Sequence, residues 1–164
     1  MNVKPNINQV VSIEQLKEID VPPNRILIDG SGVMALYGIR QNKDLDIAIP
    51  LSDWSRILND FPGKYEVAYR SFIKVMVLVY KNVEIHYNDW DGSRTEDTLE
   101  RTEVIGGYHW HSLDTIYKWK KLANREKDIK DVQLIEKFWE LKNKGELSER
   151  RLYELINKRL KNLL

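Results

Sequence analysis

The chain has 164 residues, 42% of them hydrophobic and 31% charged, with a formal net charge of +1. This length and apolar content suit a single domain, residues 1–164, with its own core. The balanced charge gives no electrostatic case for a nucleic-acid coat, and the lack of cysteine excludes disulfides, thiol nucleophiles and thiolate zinc sites. No apolar run reaches membrane-spanning length and the N-terminus has no apolar signal core, so we expect a cytoplasmic protein with no membrane contact.

The first predicted elements lead into a small-residue turn. A short helix over Ser12–Ile19, capped by Ser12, precedes a proline break. Arg25–Ile28 then predicts a short strand, and Gly32–Ile39 predicts a helix of small and apolar residues. Ser31 would lie at or near the N-cap of that helix, where a hydroxyl and free backbone N–H groups suit a phosphate.

Two carboxylates follow within the next apolar strand. Asp44 and Asp46 stand at positions i and i+2, so on a strand they would leave the same face about 6.5 to 7 Å apart and converge on a divalent cation. An unpaired buried carboxylate costs several kcal/mol, which a metal ion would remove. The alternative is that this Asp-x-Asp is a strand end that faces solvent.

A group of three strands is predicted after a helix that ends near Asp60. They cover Tyr65–Arg70, Ser71–Tyr80 and Val83–Tyr87, and would extend a mixed sheet. In the last of them the alternation puts Glu84 on the face opposite its apolar neighbours, where it would be a third acidic residue. The alternative is again a strand residue exposed to solvent.

The rest of the chain is predicted to be mainly helical. The Asp89–Glu103 stretch is polar and is expected to be loop-rich, and the histidines of His109–His111 are expected to be exposed or locally hydrogen-bonded. Three helices are expected over residues 112–164, with Ser112 as a cap and breaks near Asp128 and at residues 143–145. The last combines an apolar stripe with basic residues, which indicates a packing helix and is compatible with an oligomer or a weak nucleic-acid contact.

The turn and the carboxylates together resemble the signature of the nucleotidyltransferase superfamily, which has the polymerase-beta-like fold. That signature is an apolar residue, Gly, Gly or Ser, a spacer of nine to thirteen residues, and then Asp-apolar-Asp-apolar. Here Gly30 and Ser31 are followed, after twelve residues, by Asp44 and Asp46. Asp29, directly before Gly30, departs from the apolar residue usual there; it would repel phosphate or bind metal itself.

A second stretch, residues 112–135, resembles the helical segment of minimal nucleotidyltransferases of the abortive-infection and antitoxin kind. Lys120 best matches the nucleotide-phosphate lysine of that pattern, with Lys121 as the second choice. Arg40 is also assigned to nucleotide binding. The alternative for Lys120 is that its charged side chain is exposed to solvent on a helix. Asp128 and Asp131 are expected to have a structural role and to tie two helices together.

The resemblance implies an α+β fold: a nucleotidyltransferase-like mixed sheet over residues 25–90, flanked by helices, and a helical segment over residues 112–164. It implies an enzyme that moves a nucleoside monophosphate from an NTP, such as ATP, to an acceptor hydroxyl and releases pyrophosphate. Asp44, Asp46 and Glu84 would hold Mg²⁺ or Mn²⁺ and carry catalysis, with Glu84 as the base, and the triphosphate would lie against Gly30 and Ser31.

The acceptor is a protein, an RNA end or a small molecule. The alternatives are a metal-dependent nucleotide phosphohydrolase and a non-catalytic nucleotide- or partner-binding module of the same fold.

Overall fold

The computed structural model describes residues 3–143, which form an α+β fold around one mixed sheet. Seven strands pair in the order β3-β4-β5-β2-β1-β7-β6 within these residues. Their bounds are β1 Leu27–Asp29, β2 Leu45–Ala48, β3 Glu66–Arg70, β4 Val75–Tyr80, β5 Val83–His86, β6 Glu103–Ile105 and β7 Tyr108–Trp110. The pairs β1–β7 and β2–β5 are parallel, and the other neighbours are antiparallel.

Helices flank this sheet and form a pair after its last strand. Five α-helices fall within the described residues: α1 Ser31–Leu36, α2 Leu51–Asp60, α3 Thr95–Leu99, α4 Leu113–Ala123 and α5 Glu126–Asn143. Three short 3₁₀ helices precede β1, at Ile7–Gln9, Ile13–Glu18 and Pro23–Arg25. The predicted α+β class, with a mixed sheet flanked by helices and a C-terminal helical segment, is therefore confirmed. None of the helices between residues 3 and 143 has the length and apolar character needed to cross a membrane.

The two faces of the sheet have different character. Ile28, Ile47 and Ile85 lie side by side on β1, β2 and β5 and are fully buried in the main core, together with side chains from α1, α4 and α5. Since side chains alternate along a strand, their neighbours point to the other face. There Leu27 and Ala48 form only a small cluster with Leu99 of α3. The second face thus has little apolar cover and is where the acidic residues of these strands lie.

Several predicted boundaries shift in the structure. The helix after the turn begins at Ser31 rather than Gly32, with Gly30 as its N-cap, so Ser31 lies next to the cap, within the predicted position. Strand β2 begins at Leu45 and leaves Asp44 outside it, and the Asp44 carbonyl accepts a hydrogen bond from the Asn42 side-chain amide at 2.9 Å. The segment 71–74 is a turn rather than strand, and the stretch expected to be loop-rich contains α3.

The predicted caps have mixed outcomes. Ser112 caps α4 as expected, since its Oγ accepts from the Thr115 amide at 3.1 Å. Ser12 makes no side-chain cap, and the helix after it is 3₁₀. The break between α4 and α5 lies at Asn124, which adopts a left-handed conformation with φ of 50°, so Asp128 belongs to the first turn of α5. The predicted third C-terminal helix lies outside the described residues.

Candidate metal centre

A row of carboxylates crosses the sparsely covered face of the sheet. The antiparallel register of β1 and β2 pairs Asp29 with Asp46, and the parallel register of β2 and β5 pairs Asp46 with Glu84. Adjacent strands lie about 4.8 Å apart, so directly paired residues present their side chains to one another on the same face. Three segments that are remote in sequence therefore bring three carboxylates into one line.

Two of these carboxylates form a ligand cluster with a histidine. One ligand atom each from Asp46, Glu84 and His86 lies within 4.8 Å of the others. Glu84 and His86 alternate on β5 and share a face, and His86 Nε2 is 3.2 Å from Glu84 Oε1. Asp44 is not part of this cluster and is exposed, one residue before β2. The structure thus brings together two of the three predicted metal ligands and adds His86, while the metal-binding role of Asp44 stays a prediction.

Glu84 is held in its ionised form. Arg70 Nε donates to its Oε2 at 2.6 Å, and Arg70 Nη2 lies 2.5 Å from the same oxygen. Burial opposes ionisation, but hydrogen bonds from His86 and Arg70 outweigh it and lower the pKa of Glu84 to about 2. A carboxylate with so low a pKa is ionised at neutral pH and is a weak base.

Asp46 has the opposite electrostatic environment. Within the described part of the chain, no group donates a hydrogen bond to its half-buried carboxylate. Burial raises the pKa of Asp46 to about 7, against the attraction of His86 and with further repulsion from the carboxylates Asp29, Asp44 and Glu84. A divalent cation between Asp46 and Glu84 would compensate this half-buried charge, and the two carboxylates suit Mg²⁺ or Mn²⁺.

A second cluster adjoins the first through Asp29. Its members are Asp29, Asp89 and His111, with ligand atoms again within 4.8 Å of one another. His111 Nε2 is 3.0 Å from Asp89 Oδ1, and the Thr98 hydroxyl donates to Asp89 Oδ2 at 2.9 Å. The expectation of locally hydrogen-bonded histidines is confirmed, as His109 also bonds the Thr102 hydroxyl at 3.1 Å.

The Gly-Ser turn packs directly against Asp46. Gly30 has φ of 60° and ψ of −139°, a conformation that favours glycine, and a Cβ added there would stand 2.5 Å from Asp46 Oδ2. Ser31 follows as the first residue of α1 and is buried. The turn and the carboxylate that the sequence motif links are therefore neighbours in space.

Gly30→Ala is expected to weaken Mn²⁺ binding, because the new methyl group displaces the Asp46 carboxylate. Gly63→Ala is a matched control, since Gly63 also has positive φ, at 79°, but no atom lies within 4 Å of its added Cβ. Both variants should lose about 1 to 2 kcal/mol of stability in urea unfolding from the backbone strain. Only Gly30→Ala should also lower the Mn²⁺ affinity measured by calorimetry, and equal affinities in the two variants would contradict the contact.

The predicted nucleotide-binding cations lie in a buried ion cluster. Lys120 is 4% exposed, and its Nζ is 2.7 Å from Asp131 and 3.5 Å from Asp128. Arg40 binds Asp131 through two parallel hydrogen bonds of 2.6 and 2.8 Å, and Arg125 pairs with Asp128. The expectation that Asp128 and Asp131 tie helices together is confirmed. Nucleotide binding by Lys120 and Arg40 stays a prediction, and it would require both cations to leave carboxylates that they now neutralise.

Comparisons with known proteins found no relative of this chain. No family model, no curated protein and no solved structure matches the chain. The resemblance to the nucleotidyltransferase superfamily therefore stays a prediction from the sequence motifs, and the geometry of the site is what any function must explain.

Proposed function

We propose that the protein is a metal-dependent nucleotidyltransferase that moves a nucleoside monophosphate from an NTP to an acceptor hydroxyl. One observation carries this proposal. Asp46 and Glu84 pair in register on one face of the sheet, and the Gly30 turn contacts Asp46 directly. A phosphate-accommodating turn beside a divalent-cation site is the arrangement that nucleotidyl transfer requires.

Asp46 and Glu84 would hold the cation, with His86 beside them and Asp44 near enough for its charge to act on Asp46. A bound Mg²⁺ or Mn²⁺ would orient the triphosphate and offset the charge on the attacking and leaving oxygens. The site fits such an ion because the half-buried carboxylate of Asp46 accepts no hydrogen bond from any residue between 3 and 143.

Glu84 serves as a ligand rather than as the general base in this proposal. Its pKa of about 2 makes it a weak proton acceptor at neutral pH. The small residues of the turn, Gly30 and Ser31, would let the triphosphate approach the cation. Lys120 and Arg40 hold the Asp128 and Asp131 cluster together, and they could contact the phosphates only by leaving it.

A second candidate function is nucleotide phosphohydrolysis. It is favoured by His86 and His111, the two imidazoles that adjoin the carboxylates of the two clusters. Imidazole nitrogen suits Fe²⁺ or Zn²⁺ better than Mg²⁺, and such ions supply an activated water to hydrolases. The same face of the sheet would then direct water, rather than an acceptor hydroxyl, at the phosphate.

Product analysis distinguishes these functions. The purified protein is incubated with each of the four ribonucleoside triphosphates, labelled at the α- or γ-phosphate, with Mg²⁺ or Mn²⁺ and with candidate protein, RNA-end and small-molecule acceptors. Pyrophosphate together with α-label on an acceptor is the expected result, and Asp46→Asn should abolish it. Release of inorganic phosphate would instead establish hydrolysis. Metal-dependent NTP binding without either product would indicate a non-catalytic module.

A further inference from the structure

The cation that now neutralises Glu84 is Arg70, at the end of strand β3. Arg70 Nε and Nη2 both contact Oε2 of Glu84, at 2.6 and 2.5 Å, while His86 Nε2 lies 3.2 Å from Oε1. Both oxygens of the predicted metal ligand are therefore engaged by protein groups. Oε2 already accepts two donors from Arg70, which occupy both of its lone pairs, so a divalent cation that binds through Oε2 must take the place of Arg70.

Arg70 is the partner that can leave. Its side chain is 41% exposed, against 18% for Glu84 and 21% for His86. It stands at the end of β3 just before the exposed turn 71–74, whereas His86 is fixed on the interior strand β5. A guanidinium and a divalent cation on one carboxylate also repel each other, so ion binding favours the release of Arg70.

The released guanidinium would remain close to the centre. Arg70 lies on the hairpin of β3 and β4, whose turn contacts the α4–α5 junction because the Arg125 guanidinium stacks on the Phe72 ring at 4.5 Å. Because β3 pairs with β4 as far as Arg70 and Val75, the backbone of Arg70 stays beside the carboxylate face when its side chain releases Glu84. A planar guanidinium with several donors is well suited to a phosphate group.

We infer that Arg70 exchanges partners: it neutralises Glu84 while the metal is absent, and on metal binding it releases Glu84 and contacts the triphosphate of the incoming nucleotide. Arg70 is then both a competitor of the metal ion and a substrate-binding residue. The first role concerns the metal site alone. The second rests on the proposed function, because it requires a phosphate-bearing ligand.

The exchange has opposite consequences for two ligands when Arg70 is removed. Arg70→Ala should bind Mn²⁺, measured by calorimetry without nucleotide, about tenfold more tightly than the wild type, because Glu84 has lost its competing cation. The same variant should bind inorganic triphosphate, in excess Mg²⁺, about tenfold more weakly, because a phosphate contact is lost. Arg70→Lys should recover part of the triphosphate affinity, since it keeps the charge.

Arg25→Ala is the matched control. Arg25 pairs with Asp53 at 2.6 Å with exposures of 39% and 11%, so it is a similar half-exposed ion pair that lies before β1, at the strand end remote from Asp29. It should leave both affinities unchanged. Circular dichroism checks that each variant folds, and Arg70→Gln replaces Arg70→Ala if the latter does not.

Three outcomes would overturn the inference. If Arg70→Ala binds Mn²⁺ no more tightly than the wild type, Arg70 does not compete with the metal ion. If Mn²⁺ binds more tightly but triphosphate affinity is unchanged, Arg70 has no phosphate role and the partner exchange is wrong. If the wild type binds no Mn²⁺ at all, the metal centre of the proposed function fails and the inference fails with it. The first two outcomes leave the proposed function standing, which separates the two failures.

Discussion

Asp46→Asn is expected to stabilise the metal-free protein and to abolish its metal-dependent activity. Burial raises the pKa of Asp46 from its ordinary value to about 7. Between about pH 4 and 7 the carboxyl is therefore protonated in the folded state and ionised in the unfolded state. Stability is therefore lost as the pH rises through this range. At pH 8 Asp46 is ionised in both states, so its full destabilising effect is present. The neutral amide of Asn should then raise the free energy of unfolding by roughly 2 to 4 kcal/mol.

Urea unfolding in EDTA at pH 8 and near pH 4 measures this effect. The gain in the free energy of unfolding should be large at pH 8 and small near pH 4, where the wild-type carboxyl is protonated in the folded state and about half protonated in the unfolded state. Asp44→Asn is the control, because it removes the same charge two residues away at an exposed position and should change stability little. A variant that is destabilised at pH 8, or that keeps metal-dependent turnover, would contradict the assignment of Asp46.

Lys120→Met is expected to be the most destabilising single substitution considered for this chain. Its ammonium is buried between Asp128 and Asp131, whose side chains are 0% and 4% exposed. Removal of one partner from such a buried ion cluster leaves uncompensated charge and costs about 3 to 5 kcal/mol. Lys121→Met, at the exposed neighbouring position, should change the free energy of unfolding by less than about 0.5 kcal/mol.

The same pair of variants distinguishes the two roles considered for Lys120. A structural role predicts a large loss in urea unfolding that is partly recovered when Asp131 is also neutralised, as in Lys120→Met with Asp131→Asn. A phosphate-binding role predicts instead a small loss of stability and a large loss of NTP affinity. A folded, stable Lys120→Met protein that fails to bind nucleotide would therefore overturn the structural assignment.

Local sequence patterns were sufficient for part of the site. The order strand, Gly-Ser turn, helix, strand follows from local apolar patterning, and the alternation around Glu84 correctly puts it on the face opposite Val83 and Ile85. The meeting of Asp46 with Glu84 depends on the pairing of β2 with β5, and the superfamily motif anticipated it. What periodicity could not show is that β2 begins after Asp44, because the pairing of β2 with β1 and β5 begins no earlier than Leu45 and depends on residues remote in sequence.

Long-range contacts account for what the sequence did not reveal. Asp29, Asp89 and His111 come from three separate segments, and nothing in their local patterns links them. The alternation along β5 puts His86 on the same face as Glu84, but its place among the metal ligands depends on the pairing of β5 with β2. Lys120 has the sequence signature of a solvated charge in the last turn of a helix, and only the packing of α5 against α4 shows that it is buried.

The location of the metal ion tests the central claim most directly. A crystal of the wild-type protein soaked in MnCl₂ can be measured near the manganese absorption edge, and the anomalous difference map then locates the ion independently of any assay. The expected result is a peak between the Asp46 and Glu84 carboxylates, beside His86, that is absent from Asp46→Asn crystals treated in the same way. A map with no peak at these carboxylates, or with the same peak in the variant, would contradict the metal centre.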